Sequence, residues 1–185
     1  MAFVRLFRVS FLATLLAVIL VAADIPAVAA ASSEAHCVVR VIGERPDGRF
    51  VVTPATCFET LAEAMSFASD GAVAFDAELT GAALLTGEAG VTALVSTFTL
   101  GVHFDGFSGS GSSISVVGSS CSGGYWNTGS AWANRISSSW NGCYRLRHFD
   151  STYAKDDSED TTGAGSIHNL GIMNNRTESV AYLGS

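Results

Sequence analysis

Two short motifs recur in the same order in the second half of the chain, and this duplication constrains the fold more than any other sequence feature. The tripeptide HFD occurs at 103–105 and again at 148–150. The pair Asn-Arg occurs at 134–135 and again at 175–176. Recurrence at a nearly fixed period is the signature of duplicated supersecondary units. We therefore expect two similar units that pack together and bury the apolar surface that neither could cover alone.

The composition around these motifs is that of a β-rich fold. From about residue 99 onward, Gly, Ser, Asn, Thr and aromatic residues dominate, and short β-type runs alternate with turn clusters. The run CYRLRHF alternates apolar and polar residues, as a strand with one buried face does. Many short strands joined by tight turns are typical of an all-β sandwich or barrel.

Residues 35–75 predict a small α+β unit made of a hairpin and a helix. The runs CVVRVIG and RFVVT flank the turn residues ERPDG, which favours a β-hairpin. Thr56 and Glu59 have the spacing of a capping box, so we expect a helix to begin there and to lay its apolar stripe on the hairpin. Residues 76–98 lack a clear period and are interpreted as a linker with one short helix.

The amino terminus predicts a secretory signal peptide over residues 1–29. Two arginines precede an apolar run at 11–23, and small residues follow at the position that a signal peptidase reads, after Ala29 or Ala31. A transmembrane anchor is the alternative, but the run is shorter than the roughly 20 residues that span a bilayer. We expect a secreted protein that has no membrane segment after cleavage.

The charge balance excludes some classes of partner. The whole chain has a formal net charge of −7, and Lys155 is its only lysine. Nucleic acids and anionic membranes require clustered Lys and Arg, which this chain lacks. The acidic run DDSED at 156–160 is interpreted as a solvated loop. We expect a monomer that binds no nucleic acid.

Four cysteines, Cys37, Cys57, Cys121 and Cys143, predict two disulfides. An even number of cysteines in an exported chain indicates a disulfide framework and makes a catalytic thiol improbable. Four cysteines allow three connectivities. Pairing of nearest neighbours would keep each bridge within one half of the chain, and each bridge would stabilise the fold by about 3 kcal/mol.

The repeated motifs lie in two longer patterns. Phe104 is followed seven residues later by Gly111, and Phe149 is followed seven residues later by Asp156. Each Asn-Arg pair lies in a hexapeptide that ends in serine, ANRISS in the first unit and NNRTES in the second. Both units therefore combine an aromatic strand, a turn position and a later polar loop.

These patterns resemble the βγ-crystallin superfamily, especially its exported microbial members. In that family each Greek key begins with an aromatic strand and a glycine-containing hairpin, and a later loop reads Asn/Asp, Asn/Asp, any, any, Ser/Thr, Ser. The hexapeptide at 133–138 departs once, at Ala133, and that at 174–179 departs once, at Glu178. The resemblance covers about residues 99–185. It implies a mainly β fold, a double Greek-key sandwich preceded by the small α+β unit, and the aspartate at the second glycine position predicts a distorted or differently paired hairpin.

The same resemblance implies Ca²⁺ sites built from two exchanged loops. Ca²⁺ takes six to eight oxygen ligands in flexible geometry, and amide, hydroxyl and carbonyl oxygens of turn-rich loops can supply them. We expect an affinity on the order of 10⁻⁴ to 10⁻³ M, as in other extracellular modules. The alternative is that both loops are turns organised by Asn and Ser side chains without an ion. The implied ligands are Asn134, Ser137, Asn174, Asn175 and Glu178.

The sequence predicts a non-enzymatic protein. It contains no Gly-x-Ser-x-Gly elbow, no histidine pair with zinc-ligand spacing and no phosphate-binding glycine loop followed by lysine. His103 and His148 occupy equivalent positions of the repeat, so we interpret them as duplicated strand residues.

Two alternative functions belong to other classes. A group of secreted microbial metalloproteinase inhibitors is similar in fold and disulfide content, and inhibition of a peptidase would need a rigid exposed loop that the sequence does not identify. A cell-wall glycan binder would use Trp126 and Trp140, which lie in Gly/Ser/Asn-rich surroundings and, if exposed, could contact a ligand or partner. Packing in the core is the commoner role for such tryptophans. Trp132 is expected in the core.

Overall fold

Strands dominate the part of the chain that the computed structural model describes, residues 34–86 and 99–184. The predicted signal peptide and most of the predicted linker lie outside these residues. The strands are β1 His36–Glu44, β2 Phe50–Val52, β3 Thr56–Phe58, β4 Thr99–Phe104, β5 Ser113–Val117, β6 Ser122–Asn127, β7 Ser138–Asn141, β8 Arg145–Ser151, β9 Lys155–Thr162, β10 Ile167–Asn169 and β11 Ser179–Leu183. The helices are α1 Leu61–Ala68, α2 Gly81–Thr86 and the one-turn α3 Gly129–Trp132, with a 3₁₀ turn at Phe107–Gly109.

The strands form two sheets, which confirms the expected mainly β class. The larger sheet has the order β10-β7-β4-β5-β1-β2, with β3 paired to β1, and the smaller sheet has the order β6-β11-β8-β9. Each duplicated unit contributes four consecutive strands, β4 to β7 and β8 to β11. In each unit the first, second and fourth strands lie in one sheet, and the third strand lies in the other sheet. The two units are therefore interlocked by the exchange of one strand.

The amino-terminal segment extends the larger sheet. The predicted hairpin is confirmed, since β1 and β2 pair antiparallel. On its other edge β1 pairs parallel with β5, in a register that places His36 beside Ser113. All described residues belong to one compact unit. The segment predicted as a small α+β unit thus contributes three strands to the same sheet as β4, β5, β7 and β10.

The helix of this segment begins four residues later than expected. The predicted capping box at Thr56 and Glu59 is wrong, because Thr56 lies in β3, where it pairs with β1. The capping box is formed by Thr60 and Glu63: the Glu63 backbone N–H donates to Thr60 Oγ1 and the Thr60 N–H donates to Glu63 Oε2, both at 3.2 Å. Both threonines have a glutamate three residues later, and β3 pairing decides between them.

Two apolar clusters fill the fold. One lies between the two sheets, and the other lies between the larger sheet and α1 with α2. Both predicted disulfides are present with nearest-neighbour connectivity, Cys37–Cys57 and Cys121–Cys143. No helix among the described residues is long and apolar enough to cross a membrane. The two bridges fit the expected extracellular location.

Candidate functional site

The two predicted loops lie side by side and hold each other through backbone hydrogen bonds. The first loop connects α3 to β7, and the second connects β10 to β11. The Asn134 N–H donates to the carbonyl of Thr177 at 2.9 Å, and the Asn175 N–H donates to the carbonyl of Ile136 at 2.9 Å. These bonds are equivalent under the repeat. The loops therefore meet around an approximate two-fold relation between the units.

The predicted ligands form two pairs, each with one residue from each loop. Asn134 Nδ2 donates to Glu178 Oε1 at 3.2 Å. Ser137 Oγ donates to Asn175 Oδ1 at 3.3 Å. Asn134 and Asn175 both have positive φ, 60° and 54°, a backbone region that asparagine tolerates better than most residues. The structure thus brings four of the five predicted residues together in two mixed pairs.

The fifth predicted residue, Asn174, lies at the start of the second loop. Its backbone N–H donates to the carbonyl of Gly171 at 3.3 Å. Its side-chain oxygen is buried and accepts no hydrogen bond from the described residues. Ala133 stands at the equivalent position of the first loop and has no side-chain oxygen. The second loop therefore carries an unpaired acceptor that the first loop lacks.

The Asn-Arg and HFD motifs of each unit contact each other through an ion pair. In the first unit Arg135 pairs with Asp105 at 2.8 Å and donates to the carbonyl of Ala131 at 3.0 Å. In the second unit Arg176 pairs with Asp150 at 2.6 Å. The arginine of each loop is thus clamped to the aspartate of the HFD motif of the same unit. This pairing was not predicted, although the recurrence of both motifs in the same order was a signal for it in the sequence.

The last serine of each loop fastens the loop to the hairpin turn of its own unit. Ser138 Oγ donates to the carbonyl of Gly106 at 2.6 Å and accepts from the Gly109 N–H at 3.0 Å. Ser179 Oγ donates to the carbonyl of Ser151 at 2.6 Å and accepts from the Ala154 N–H at 3.1 Å. These bonds give the serine a structural role in both units.

The second hairpin keeps the backbone of the first at its turn position. Gly111 has φ of 78°, and the equivalent Asp156 has φ of 65°. Aspartate is one of the few non-glycine residues enriched in this region. The strands on either side, β8 and β9, pair antiparallel with one register shift between Phe149 and Ser151. The aspartate therefore substitutes for glycine without loss of strand pairing.

The repeated histidines meet in the core between the sheets. Both His103 and His148 are fully buried, and their ring centroids lie 5.7 Å apart. His103 makes hydrogen bonds to Ser139 Oγ at 2.7 Å and to the Tyr182 hydroxyl at 2.8 Å. Both ring nitrogens of His148 are buried without a hydrogen-bond partner among the described residues. Burial lowers the pKa of His148 to about 3 and that of His103 well below its ordinary value.

The tryptophans proposed as contact residues are core residues. Trp126 is 3% exposed and Trp140 is fully buried. Both have the commoner role of tryptophan, packing in the core, because both lie on strands whose faces pack into the two apolar clusters. The alternative, in which they offer exposed indole faces to a glycan or partner, is wrong. Trp132 is also buried, as predicted, and the Arg135 guanidinium lies 5.0 Å from its ring centroid.

The oxygen atoms at the two loop pairs belong to amide, hydroxyl and carboxylate groups, which are the hard ligands that Ca²⁺ takes. No group of three or more His, Cys, Asp or Glu suited to a metal ion occurs within residues 34–86 and 99–184. That donor set does not fit zinc or a redox metal, which favour His and Cys. The buried, unpaired oxygen of Asn174 and the Glu178 carboxylate do fit a hard cation.

Comparison of the chain with protein-family models, with curated proteins and with solved structures finds no match.

Proposed function

We propose that this chain is an exported, non-enzymatic protein with a βγ-crystallin-type domain, and that its two exchanged loops bind Ca²⁺ and stabilise the fold. The strand order supports the architecture. Exchange of the third strand between two units of four is the arrangement expected of two interlocked Greek keys. Equivalent contacts of the clamps, the loop serines and the loop backbones support a common origin of the two units.

The observation that carries the proposed function is the reciprocal contact of the loops. Each pair, Asn134 with Glu178 and Ser137 with Asn175, joins the second position of one hexapeptide to the fifth position of the other. An ion at such a pair would bridge the two units. Because it would bind the folded chain and not the unfolded one, it would stabilise the fold by mass action.

The direct test is thermal unfolding of the chain without residues 1–31, in Ca²⁺ and in chelator. At a Ca²⁺ concentration ten times the dissociation constant, one bound ion contributes about 1.4 kcal/mol, which raises the midpoint by a few degrees for a domain of this size. The double variant Asn134→Gly, Asn175→Gly removes both amides while it suits the positive φ at both positions. We expect it to lose the Ca²⁺-dependent rise. An unchanged midpoint for the natural chain would reject the proposal.

A second function, inhibition of a peptidase, is favoured by one specific observation. The turn between β4 and β5 displays Phe107, which is 50% exposed. The turn is held on both sides: the Ser108 N–H donates to Asn169 Oδ1 at 2.6 Å, and the Gly109 N–H donates to Ser138 Oγ at 3.0 Å. An apolar side chain on an immobilised turn has the form that a protease cleft accepts, because little entropy is lost when it binds.

This second function is tested with purified metalloproteinases. Phe107→Ala should abolish inhibition if the turn enters the cleft. Tyr144→Ala is the matched control, because Tyr144 is 53% exposed but lies outside that turn. Absence of inhibition by the natural chain, or equal loss in both variants, would reject the role of this turn.

A further inference from the structure

We infer that the cavity beside the 3₁₀ turn at Phe107–Gly109 binds a basic side chain of a partner protein, whose guanidinium or ammonium group enters it. The cavity has a volume of about 420 Å³ and lies where α1 and α2 begin. That volume is in the range of ligand-binding sites. No residue of the two hexapeptides lines the cavity, so the inference does not depend on the proposed Ca²⁺ sites.

The turn that forms one wall of this cavity is fixed in place. Helix α2 packs directly on the turn, since a Cβ at Gly81 would overlap the carbonyl of Gly109. The Gly109 N–H donates to Ser138 Oγ at 3.0 Å, and the Ser108 N–H donates to Asn169 Oδ1 at 2.6 Å. The cavity is therefore preformed, and a ligand that enters it loses little affinity to the ordering of a loop.

The charge of the cavity wall selects a cation. Three exposed glutamates, Glu34, Glu59 and Glu78, line the cavity, and none of the described lining residues is Lys or Arg. None of the three forms an ion pair with a described residue, whereas Asp150 and Asp160 are each paired with arginine. The helix starts offset only a fraction of this charge, because each carries about half a positive charge. Uncompensated carboxylates in one concave surface raise the local concentration of cations.

A buried histidine in the wall adds an acceptor. His36 is 8% exposed and lines the cavity. Its Nδ1 is hydrogen-bonded to Ser113 Oγ at 2.9 Å, and its Nε2 has no hydrogen-bond partner among the described residues. Burial lowers the pKa of His36 below its ordinary value of 6.5, so the ring is neutral at pH 7. When Nδ1 donates to Ser113, Nε2 accepts, which suits guanidinium and ammonium groups because both only donate.

An exposed aromatic ring next to the cavity favours a protein partner over a free cation. Phe107 is 50% exposed and directly precedes Ser108, which lines the cavity. Aromatic residues and arginine are enriched at the energetically important positions of protein interfaces. Arginine suits the cavity better than lysine, because its planar guanidinium has five donors for the carboxylates and the imidazole.

Titration of the chain without residues 1–31 with the peptide acetyl-Leu-Arg-Leu-amide tests the inference. Chemical shifts of backbone amides in ¹H–¹⁵N NMR spectra locate the site, and we expect saturable shifts at Ser108, Gly109 and Ser110. The same peptide with citrulline in place of arginine is the matched control, because citrulline has nearly the same shape and no charge. It should bind at least about tenfold more weakly, since it lacks the attraction to the three carboxylates.

Variants of the wall separate the cavity from general surface charge. Glu59→Gln and Glu78→Gln should each weaken binding about two- to fivefold. Glu44→Gln makes the same change of charge about 25 Å along β1 from His36, beyond the range of screened attraction, and should leave the affinity within about 1.5-fold. Ala82→Trp adds an indole to the exposed wall of α2 without a change of charge, and it should abolish binding because it fills the cavity. Unfolding midpoints identify any variant that has lost its fold.

Methylguanidinium distinguishes a partner's side chain from a free small cation. It lacks the two leucines, so it should bind about threefold or more weakly than the peptide, and Phe107→Ala should remove most of this difference. Methylguanidinium binding as tight as that of the peptide would overturn the assignment to a partner protein. Equal affinity for the arginine and citrulline peptides, equal losses in Glu59→Gln and Glu44→Gln, or retained binding in Ala82→Trp would overturn the inference as a whole. The Ca²⁺-dependent unfolding midpoint tests the proposed function separately.

Discussion

At the scale of single residues, the duplication has left two equivalent histidines in unequal surroundings. His103 has a hydroxyl partner on each ring nitrogen, whereas neither nitrogen of His148 has a partner among the described residues. The nearest charged groups do not offset the lowering of the His148 pKa by burial. Asp160 on β9 raises the pKa of His148 but is hydrogen-bonded to Arg147 at 2.6 Å, while His168 on β10 lowers it. A proton on either core histidine would therefore place an unpaired charge between the sheets.

This arrangement predicts a loss of stability in mild acid. Both folded-state pKa values lie below the ordinary 6.5, so the unfolded chain binds protons that the folded chain does not. The stability contribution is fully present above pH 6.5 and is lost as the pH falls toward the folded pKa of His148, about 3. The free energy of unfolding should fall by up to about 1.4 kcal/mol per pH unit for each histidine.

Denaturant unfolding between pH 7.5 and 5 measures this slope in a range where most carboxylates do not titrate. His148→Leu should remove at most about half of the slope, because His103 still titrates and burial also lowers the pKa of His36. It should cost little at pH 7.5, since the imidazole that it replaces has no hydrogen-bond partner among the described residues. A free energy of unfolding that stays constant across this range would contradict the prediction.

At the scale of elements, each Asn-Arg loop is clamped to the HFD motif of its own unit by an ion pair. Arg135 and Asp105 have side chains that are 48% and 26% exposed, so solvent screens their attraction. A double-mutant cycle of Arg135→Ala and Asp105→Ala should give a coupling of about 1 kcal/mol in unfolding free energy. The same coupling is expected for Arg176 and Asp150.

The duplication supplies the control for this cycle. Arg135→Ala combined with Asp150→Ala exchanges the partner for its equivalent in the other unit, which Arg135 does not contact. That cycle should give a coupling near zero, since the two side chains share no interaction. Equal coupling in the matched and exchanged cycles would indicate a general charge effect and would count against the clamps.

Some of these elements could be predicted from the sequence alone, and others could not. The hairpin β1–β2, the mainly β second half and the disulfide framework follow from local patterns, and the structure confirms them. The start of α1 does not follow from the local pattern, because Thr56 and Thr60 both satisfy the capping pattern. Only the pairing of β3 with β1 decides which of the two threonines caps the helix. The burial of Trp126 and the pairing of Glu178 with Asn134 depend on contacts distant in sequence, which no local pattern encodes.

At the scale of the whole molecule, the amino-terminal segment joins the two sheets. The Tyr125 N–H of β6 donates to the carbonyl of Gly48 at 2.9 Å, so the turn after β1 reaches the smaller sheet. Phe50 is buried, and its ring lies 5.9 Å from that of Tyr182. A Cβ at Gly124 would lie only 2.0 Å from the Phe50 ring, so the glycine makes room for it. The segment thus closes one side of the space between the sheets.

Removal of this ring should destabilise the entire fold. Phe50→Ala should cost about 3 to 5 kcal/mol, the range for a buried phenylalanine. Ile42→Ala is the matched control in the same hairpin, because Ile42 is 66% exposed and should cost less than about 0.5 kcal/mol. Denaturant unfolding followed by tryptophan fluorescence measures both. If Phe50→Ala melted only the amino-terminal segment and left the tryptophan transition unchanged, the segment would be a separate folding unit.

The parallel pairing of β1 with β5 sets an order of events during synthesis. A chain that leaves the ribosome amino terminus first can pair β1 with β2 and β3 on one edge as soon as residue 58 has emerged. The other edge has no partner until β5 follows, since His36 and its neighbour Ser113 are 77 residues apart. For that interval the nascent chain presents an open strand edge, the feature that recruits other chains into aggregates. This edge of β1 is therefore open to strands of other chains until the second half of the protein is made.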